Sequence, residues 1–250
     1  IALVGGIVSM LAVNHLLPKL GGQAAANPCA WATSPASVAT PASGIVRSYS
    51  APPRLCVTPS THGLYTAIIN TKKGNISVTL DQATSPYTVN DFVFLATHHY
   101  YDGQSFYKLV ANQYIQAGDP ATASSTAKTS SYSTNATPGY VTKDEYPSTS
   151  AVYKLGSITM PDQTDSAGKI NSNTITSQFF ICIADDSKTL PNYYNYFGFV
   201  TQGLSVLQTL QQGDVITSIT VTYDPNGQSG IPAGTPTASP VASPTVTPTP

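Results

Sequence analysis

How the apolar residues are parcelled constrains this chain more than anything else in it. Ala32-Thr-Ser-Pro-Ala-Ser-Val-Ala-Thr-Pro-Ala-Ser43 is small, polar and punctuated by proline, and Pro232 to Pro250 repeats the same chemistry. Neither tract has a hydrophobic period, so neither can bury enough surface to offset the entropy of ordering it. Between them, from Leu64 to Asp224, short β-branched and aromatic runs alternate with Gly, Pro and Asn turns. A block of about 160 residues buries roughly 70% of its unfolded surface, enough for one self-sufficient core. The chain therefore divides into an apolar segment (1–26), a Ser/Thr/Pro/Ala-rich spacer (27–63), one folded domain (64–224) and a Pro/Thr/Ser-rich tail (225–250) expected to be disordered.

Within the block, Tyr65–Thr71 and Asn75–Leu80 are strand-like runs around a Lys72-Lys-Gly-Asn75 turn, which predicts a hairpin. Ser85-Pro86 offers a helix N-cap followed by Pro at the first helical position. Behind it Val89, Phe92, Val93 and Ala96 fall on one helical face. Strands are expected at Ser105–Val110, Gln113–Gln116, Tyr153–Met160, Gln178–Ile183, Phe197–Val200 and Val215–Thr222. Ala121–Tyr140 reads as a long surface loop. Leu204, Leu207 and Leu210 predict a second short helix, with Gly213 as its C-terminal cap. Many short strands with two helices point to a β-barrel or sandwich.

Charge excludes several functions. Charged residues make up 9% of the chain, against roughly 25% in an ordinary soluble domain. Net charge is -1, with no Lys/Arg cluster to hold phosphates, so no nucleic-acid partner is expected. Charge-driven disorder is excluded too, because 41% of residues are hydrophobic. The three cysteines form no CxxC pair, which argues against zinc ribbons and dithiol redox sites. Cys29 and Cys56 bracket the spacer and admit two readings, a disulfide in an oxidising compartment or two unpaired thiols. Cys182 sits in an apolar run and reads as a small core residue. The opening Ile1–Val13 run, continuing through Leu16 and Leu17 to Lys19, lacks an initiator Met and is expected to continue a longer segment. It reads either as the end of a membrane anchor or as a signal region ending near Ala24-Ala25-Ala26. Both readings put the protein outside the cytoplasm, membrane-anchored or secreted, with membrane contact only through this segment.

Phosphate loops, HExxH and GxSxG elbows are absent, and the adjacent His98 and His99 are a poor metal pair. Two segments carry a positive signal: Tyr101-Asp-Gly-Gln-Ser-Phe-Tyr-Lys-Leu-Val-Ala-Asn-Gln-Tyr-Ile-Gln-Ala-Gly-Asp-Pro120 and Thr176-Ser-Gln-Phe-Phe-Ile-Cys182. They resemble the YDG…GDP and SQFFI stretches of the cyclophilin family of peptidyl-prolyl cis-trans isomerases. The hairpin, the helix from Pro86 and Phe197-Gly-Phe-Val200 follow in that family's order, so the resemblance covers about Leu64 to Tyr223. It implies an all-β fold with two helices, a closed eight-stranded antiparallel barrel capped by both helices. It also implies a monomeric enzyme that acts on proline-containing polypeptides without metal or cofactor.

An X-Pro bond exchanges over tens to hundreds of seconds because amide resonance sets a barrier of about 18–20 kcal/mol. The enzyme need only hold the proline ring and favour the twisted amide, whose nitrogen has become a better hydrogen-bond acceptor. By the resemblance, the cationic donor is Lys108, where the family commonly has Arg, following Phe106 and Tyr107. Gln116 is the glutamine that grips the substrate backbone. Phe106, Gln113, Tyr114, Gln178, Phe180, Leu190 and Tyr194 are the substrate-binding positions. Several depart from the family's usual residues. Gln113 stands for an aromatic, Tyr114 for Met, Tyr194 for His and Thr189 for Trp, while Met160-Pro-Asp-Gln163 replaces M-A-N-A. The stretch Thr164–Asn173 is about seven residues longer than the common form. Lys presents a point charge rather than a planar fork, so turnover is expected to be lower by roughly ten- to hundredfold. Three functions are weighed: an isomerase assisting the folding of exported chains, a non-catalytic proline-peptide binding module on the cell exterior, and a wall-associated spacer in which the tails matter most.

Overall fold

β-Branched residues shape the first hairpin. In the computed structural model, which describes Cys29 and residues 44–60, 62–123 and 136–228, β1 (His62–Thr71) and β2 (Gly74–Leu80) pair antiparallel around Lys72 and Lys73. Period-two alternation turns Tyr65, Ala67 and Ile69 of β1 inward. The remaining strands are β3 (Lys108–Val110), β4 (Tyr114–Ala117), β5 (Ser157–Met160), β6 (Phe179–Cys182), β7 (Asn195–Gln202) and β8 (Ile216–Gln228). All pair antiparallel in one eight-stranded sheet of order β3-β4-β6-β5-β7-β2-β1-β8. The strands match the expected runs but differ at their ends, and β8 continues six residues past Thr222.

The sheet's two edges, β3 and β8, do not ladder with one another among the described residues, as hydrogen-bonded closure of a barrel would require. They meet instead through the segments leading into them. Ser105 bridges Val215, and the backbone N–H groups of Gly103, Ile216, Phe106 and Gly213 donate to Ile216, Gln104, Asp214 and Phe106, each at 2.8 Å. This seam spends the backbone groups of residues 103–106, so β3 begins at Lys108 rather than at Ser105.

α1 (Pro86–Thr97) packs Val89, Phe92, Val93 and Ala96 into the core, where the Phe92 ring meets Tyr101, Phe179 and Phe197. Ser85 occupies the N-cap position without capping, and its hydroxyl donates to the Tyr196 carbonyl (2.6 Å) instead. The chain's sole glutamate supplies the cap. The Glu145 carboxylate accepts from Tyr87 N (3.1 Å), Thr88 N (2.8 Å) and Thr88 Oγ1 (2.8 Å), placing negative charge at the helix's positive end. α2 (Leu204–Thr209) ends at Leu210, three residues before the expected cap. Gly213, at φ 94°, serves the seam instead.

The second half of the spacer is packed. Residues 44–60 run along α1 as an arm in which Tyr49 and Val57 are buried. The Tyr49 ring stands edge-on to Phe94 with centroids 5.1 Å apart. Asn90 Oδ1 accepts from Cys56 N (2.8 Å) and Val57 N (3.1 Å), and the Arg47 guanidinium donates to the Asp102 carbonyl (2.6 Å). Cys29 and Cys56 form a disulfide, which decides between the two readings of that pair, and Cys182 is a buried free thiol. The expected loop 121–140 opens with a 3-10 turn (Pro120–Ala123) and ends on the buried Tyr140. The apolar segment 1–26, residues 30–43, the centre of that loop and the tail from 229 lie outside the described residues.

Candidate active site

Strand register builds the site. Lys108 on β3 pairs with Gln116 on β4, Gln116 with Phe180 on β6, Phe180 with Thr159 on β5, and Thr159 with Tyr196 on β7. Directly paired residues share a face, so these five side chains form one row across the sheet. The opposite face of the same strands carries Ile115, Ala117, Phe179 and Ile181, all in the main core. A second, smaller cluster on the row's side comprises Tyr153, Phe180, Cys182 and Tyr196, with Tyr114, Leu190 and Tyr194 against it. Above it opens a cavity of about 150 Å³ lined by Lys108, Tyr114, Gln116, Pro161, Asp162, Thr164, Phe180 and Tyr194.

The cavity's walls are aromatic and its polar groups are held from behind. The Phe180 ring meets Tyr194 edge-to-face (5.3 Å, 88°) and Tyr114 at 4.7 Å. Lys108 is half-buried with its Nζ 5.3 Å from the Tyr114 ring centroid, inside cation–π range. Among the described residues it forms no salt bridge. Gln116 is fixed through its amide nitrogen, which donates to Tyr107 Oη (2.6 Å) and Gln178 Oε1 (3.2 Å). The Tyr107 hydroxyl donates in turn to Gln178 Oε1, and Gln178 Nε2 donates to the Ala136 carbonyl (3.2 Å). Gly118, at φ 101° just after β4, lets the chain press against Ser177 and Gln178, which lead into β6, since a Cβ there would lie 2.3 Å from the Ser177 carbonyl oxygen.

Asp162 closes the remaining side. One carboxylate oxygen accepts from the Tyr146 hydroxyl; the other accepts from Thr174 N (3.0 Å) and Thr174 Oγ1 (3.3 Å). Burial pushes its pKa up to about 6, although the bonds from Tyr146 and Thr174 oppose that shift. The long segment expected at Thr164–Asn173 folds on itself through a Thr164–Ile170 bridge, and its first residue joins the cavity wall.

Five of the nine residues singled out from sequence therefore meet at one cavity: Lys108, Gln116, Tyr114, Phe180 and Tyr194. The other four lie elsewhere. Phe106 is fully buried in the main core, because the residue before Tyr107 faces the sheet's interior. Gln178 is buried behind Gln116 as its hydrogen-bond partner. Gln113 sits in the β3–β4 turn, where its carbonyl accepts from Ile183 N (2.7 Å). Leu190 packs on the second cluster beside the cavity. Pro161 and Asp162 come from the Met160-Pro-Asp-Gln163 segment noted among the departures by the resemblance, and Thr164 opens the long stretch that follows it, although none of the three was singled out as a site residue. Tyr107, which holds Gln116 from behind, was not assigned to the site either.

A cation, an anchored carboxamide and an aromatic wall around a small hollow suit binding and polarisation rather than bond cleavage. A twisted imide offers its nitrogen lone pair as an acceptor, Lys108 is the donor on hand, and Phe180 with Tyr114 and Tyr194 supplies a surface for a ring. The family model for cyclophilin type peptidyl-prolyl cis-trans isomerase/CLD matches residues 66–226. A peptidyl-prolyl cis-trans isomerase of Helicobacter pylori is 35% identical over 156 residues, which are 61% of this chain and 84% of that one. A probable peptidyl-prolyl cis-trans isomerase B of Mycobacterium leprae is 27% identical over 179 residues, covering 66% of this chain and 54% of that one. The crystal structure of a Cryptosporidium parvum cyclophilin-type isomerase shares the fold with a TM-score of 0.51 at 22% identity, over 64% of this chain and 98% of that one. With its folded block matched along almost its whole length, the chain belongs to the cyclophilin-type peptidyl-prolyl cis-trans isomerases.

Proposed function

We propose that this isomerase acts on X-Pro bonds of exported polypeptides outside the cytoplasm, with Lys108 as the donor to the twisted imide nitrogen and Gln116 gripping the substrate backbone. The cross-strand row of Lys108, Gln116 and Phe180 at a cavity of about 150 Å³ carries this reading. Drug-sized ligands need about 300–1,000 Å³, whereas a single small ring is better matched to this hollow. Both hydrogen bonds made by the Gln116 side chain use Nε2, which reserves Oε1 for a substrate N–H. The seam between Ser105 and Val215 is read as the place where the sheet closes into a barrel, holding the β3 edge that bears Lys108.

The Cys29–Cys56 disulfide supports an oxidising compartment, as do the apolar opening and the Ser/Thr/Pro tracts. Lys in place of Arg lowers the expected rate by one to two decades. Exchange spectroscopy on an X-Pro peptide with the full chain tests the activity; no acceleration over the uncatalysed exchange refutes it. Saturable binding without acceleration would favour the second reading, a proline-peptide binding module, which the same Lys108 and the polar Gln113 support. Cell fractionation tests the location, and a reduced, soluble cytoplasmic protein contradicts it.

A further inference from the structure

A second cavity, of about 270 Å³, shares no lining residue with the first. It lies between the arm, the start of α1 and residues 141–143. Its apolar rim contains three of the chain's exposed large hydrophobics: Leu55 (39% exposed), Tyr87 (38%) and Val141 (39%). Such residues gathered around one hollow mark a binding surface more often than idle exterior. Pro52 and Pro53 stiffen the arm side.

Two residues lining this cavity, Asp91 and Thr142, each carry a polar atom with no hydrogen-bond partner among the described residues. Asp91 is wholly buried; its Oδ1 accepts from the Tyr140 hydroxyl (2.6 Å), while its Oδ2 accepts from no described residue. Thr142 Oγ1 is likewise buried without a partner among the described residues. Buried polar atoms in native proteins are satisfied with few exceptions, and an orphaned carboxylate oxygen is among the costliest to leave bare. Burial raises the Asp91 pKa to about 7 despite the Tyr140 bond. Lys143 does not neutralise it: its Nζ stands over the Tyr87 ring, 3.7 Å from the centroid. This lining suits a compact hydrogen-bond donor, best a cationic one, attached to an apolar body that can lie along Leu55, Tyr87 and Val141.

We propose that this cavity binds a primary amine carried on a small apolar body, its ammonium donating to Asp91 Oδ2 and Thr142 Oγ1. Titration of the full chain with phenethylamine, 2-phenylethanol and ethylbenzene, at a pH somewhat above neutral, separates the contributions. The amine is expected to bind at least about tenfold more tightly than the alcohol, the increment of a charge-assisted hydrogen bond, and the hydrocarbon least of all. Asp91→Asn should weaken the amine by a similar factor while leaving the alcohol nearly unchanged. Val141→Trp, at an exposed position, should block all three without altering the circular dichroism spectrum or the X-Pro exchange rate, and it serves as the test if Asp91→Asn does not fold. Equal affinity for amine and hydrocarbon, binding that survives Val141→Trp, or no saturable amine binding to the wild type overturns the proposal.

Discussion

Replacing Lys108 with Met removes the charge while keeping most of the stem, and the structure separates what this does to catalysis from what it does to the fold. As the proposed donor to the twisted imide, Lys108 would contribute one charge-assisted hydrogen bond worth roughly 1.5–3 kcal/mol. Its loss should lower kcat/KM by about ten- to hundredfold. In the resting fold, the Lys108 ammonium stands 5.3 Å from the Tyr114 ring centroid, a cation–π contact worth about 0.5–1 kcal/mol. For a domain of this size that lowers Tm by only about 2–4 °C. Lys108→Arg restores the charge and adds the planar fork, so exchange should rise by roughly tenfold over wild type. Exchange spectroscopy on an X-Pro peptide, with thermal melts of each variant, reads both effects. If Lys108→Met exchanges the peptide within about twofold of an active wild type, Lys108 is not the donor and the role assigned to it fails.

Other perturbations have distinct outcomes. Tyr107→Phe deletes a hydroxyl that accepts from Gln116 and donates to Gln178. It should cost about 1–3 kcal/mol of stability and raise KM more than it lowers kcat, as denaturant titration and steady-state kinetics would show. Glu145→Ala strips the three bonds at the start of α1 and should cost about 1–2 kcal/mol by the same titration. Asp162 titrates near 3.8 when unfolded and at about 6 in the fold. Between those values the native state holds the extra proton, so this group's contribution to stability falls as pH rises from 3.8 to about 6 and is flat above. Asp162→Asn should flatten that part of the stability–pH curve; a slope left unchanged would refute the assignment. Reducing the Cys29–Cys56 bond, which spans 27 residues, should destabilise the arm by up to about 3–4 kcal/mol, read as faster amide exchange at Tyr49 and Val57.

Local signals carried most of the fold and half of the site. The alternation in Tyr65–Leu80, the 3.6-residue period of Val89, Phe92, Val93 and Ala96, and the YDG…GDP stretch are each written in contiguous residues. Once β4 pairs with β6, register alone places Gln116 beside Phe180. What escaped depends on chain segments that meet only in three dimensions. Glu145 reaches the start of α1 from 57 residues away, so Ser85, the nearer and better-looking cap, was free to bond elsewhere. Residues 44–60 look like spacer because their Pro and Ser content hides two anchors, Tyr49 and Val57, whose burial sites are built by α1 and Tyr140. Gln178 and Phe106 were read from motif position as substrate contacts, whereas inside the fold one braces Gln116 and the other fills the core.

β1 lies between β2, which follows it at once, and the 13-residue β8, which comes some 150 residues later. A growing chain therefore makes the β1–β2 hairpin early and then waits with one flank of β1 bare until residues 216–228 arrive. Pairings so far apart in sequence are slow to form, and an unguarded strand flank invites other chains. A prolyl isomerase thus carries its own late latch. Losing residues 216–228 to truncation or proteolysis would leave a nearly finished molecule with an adhesive side.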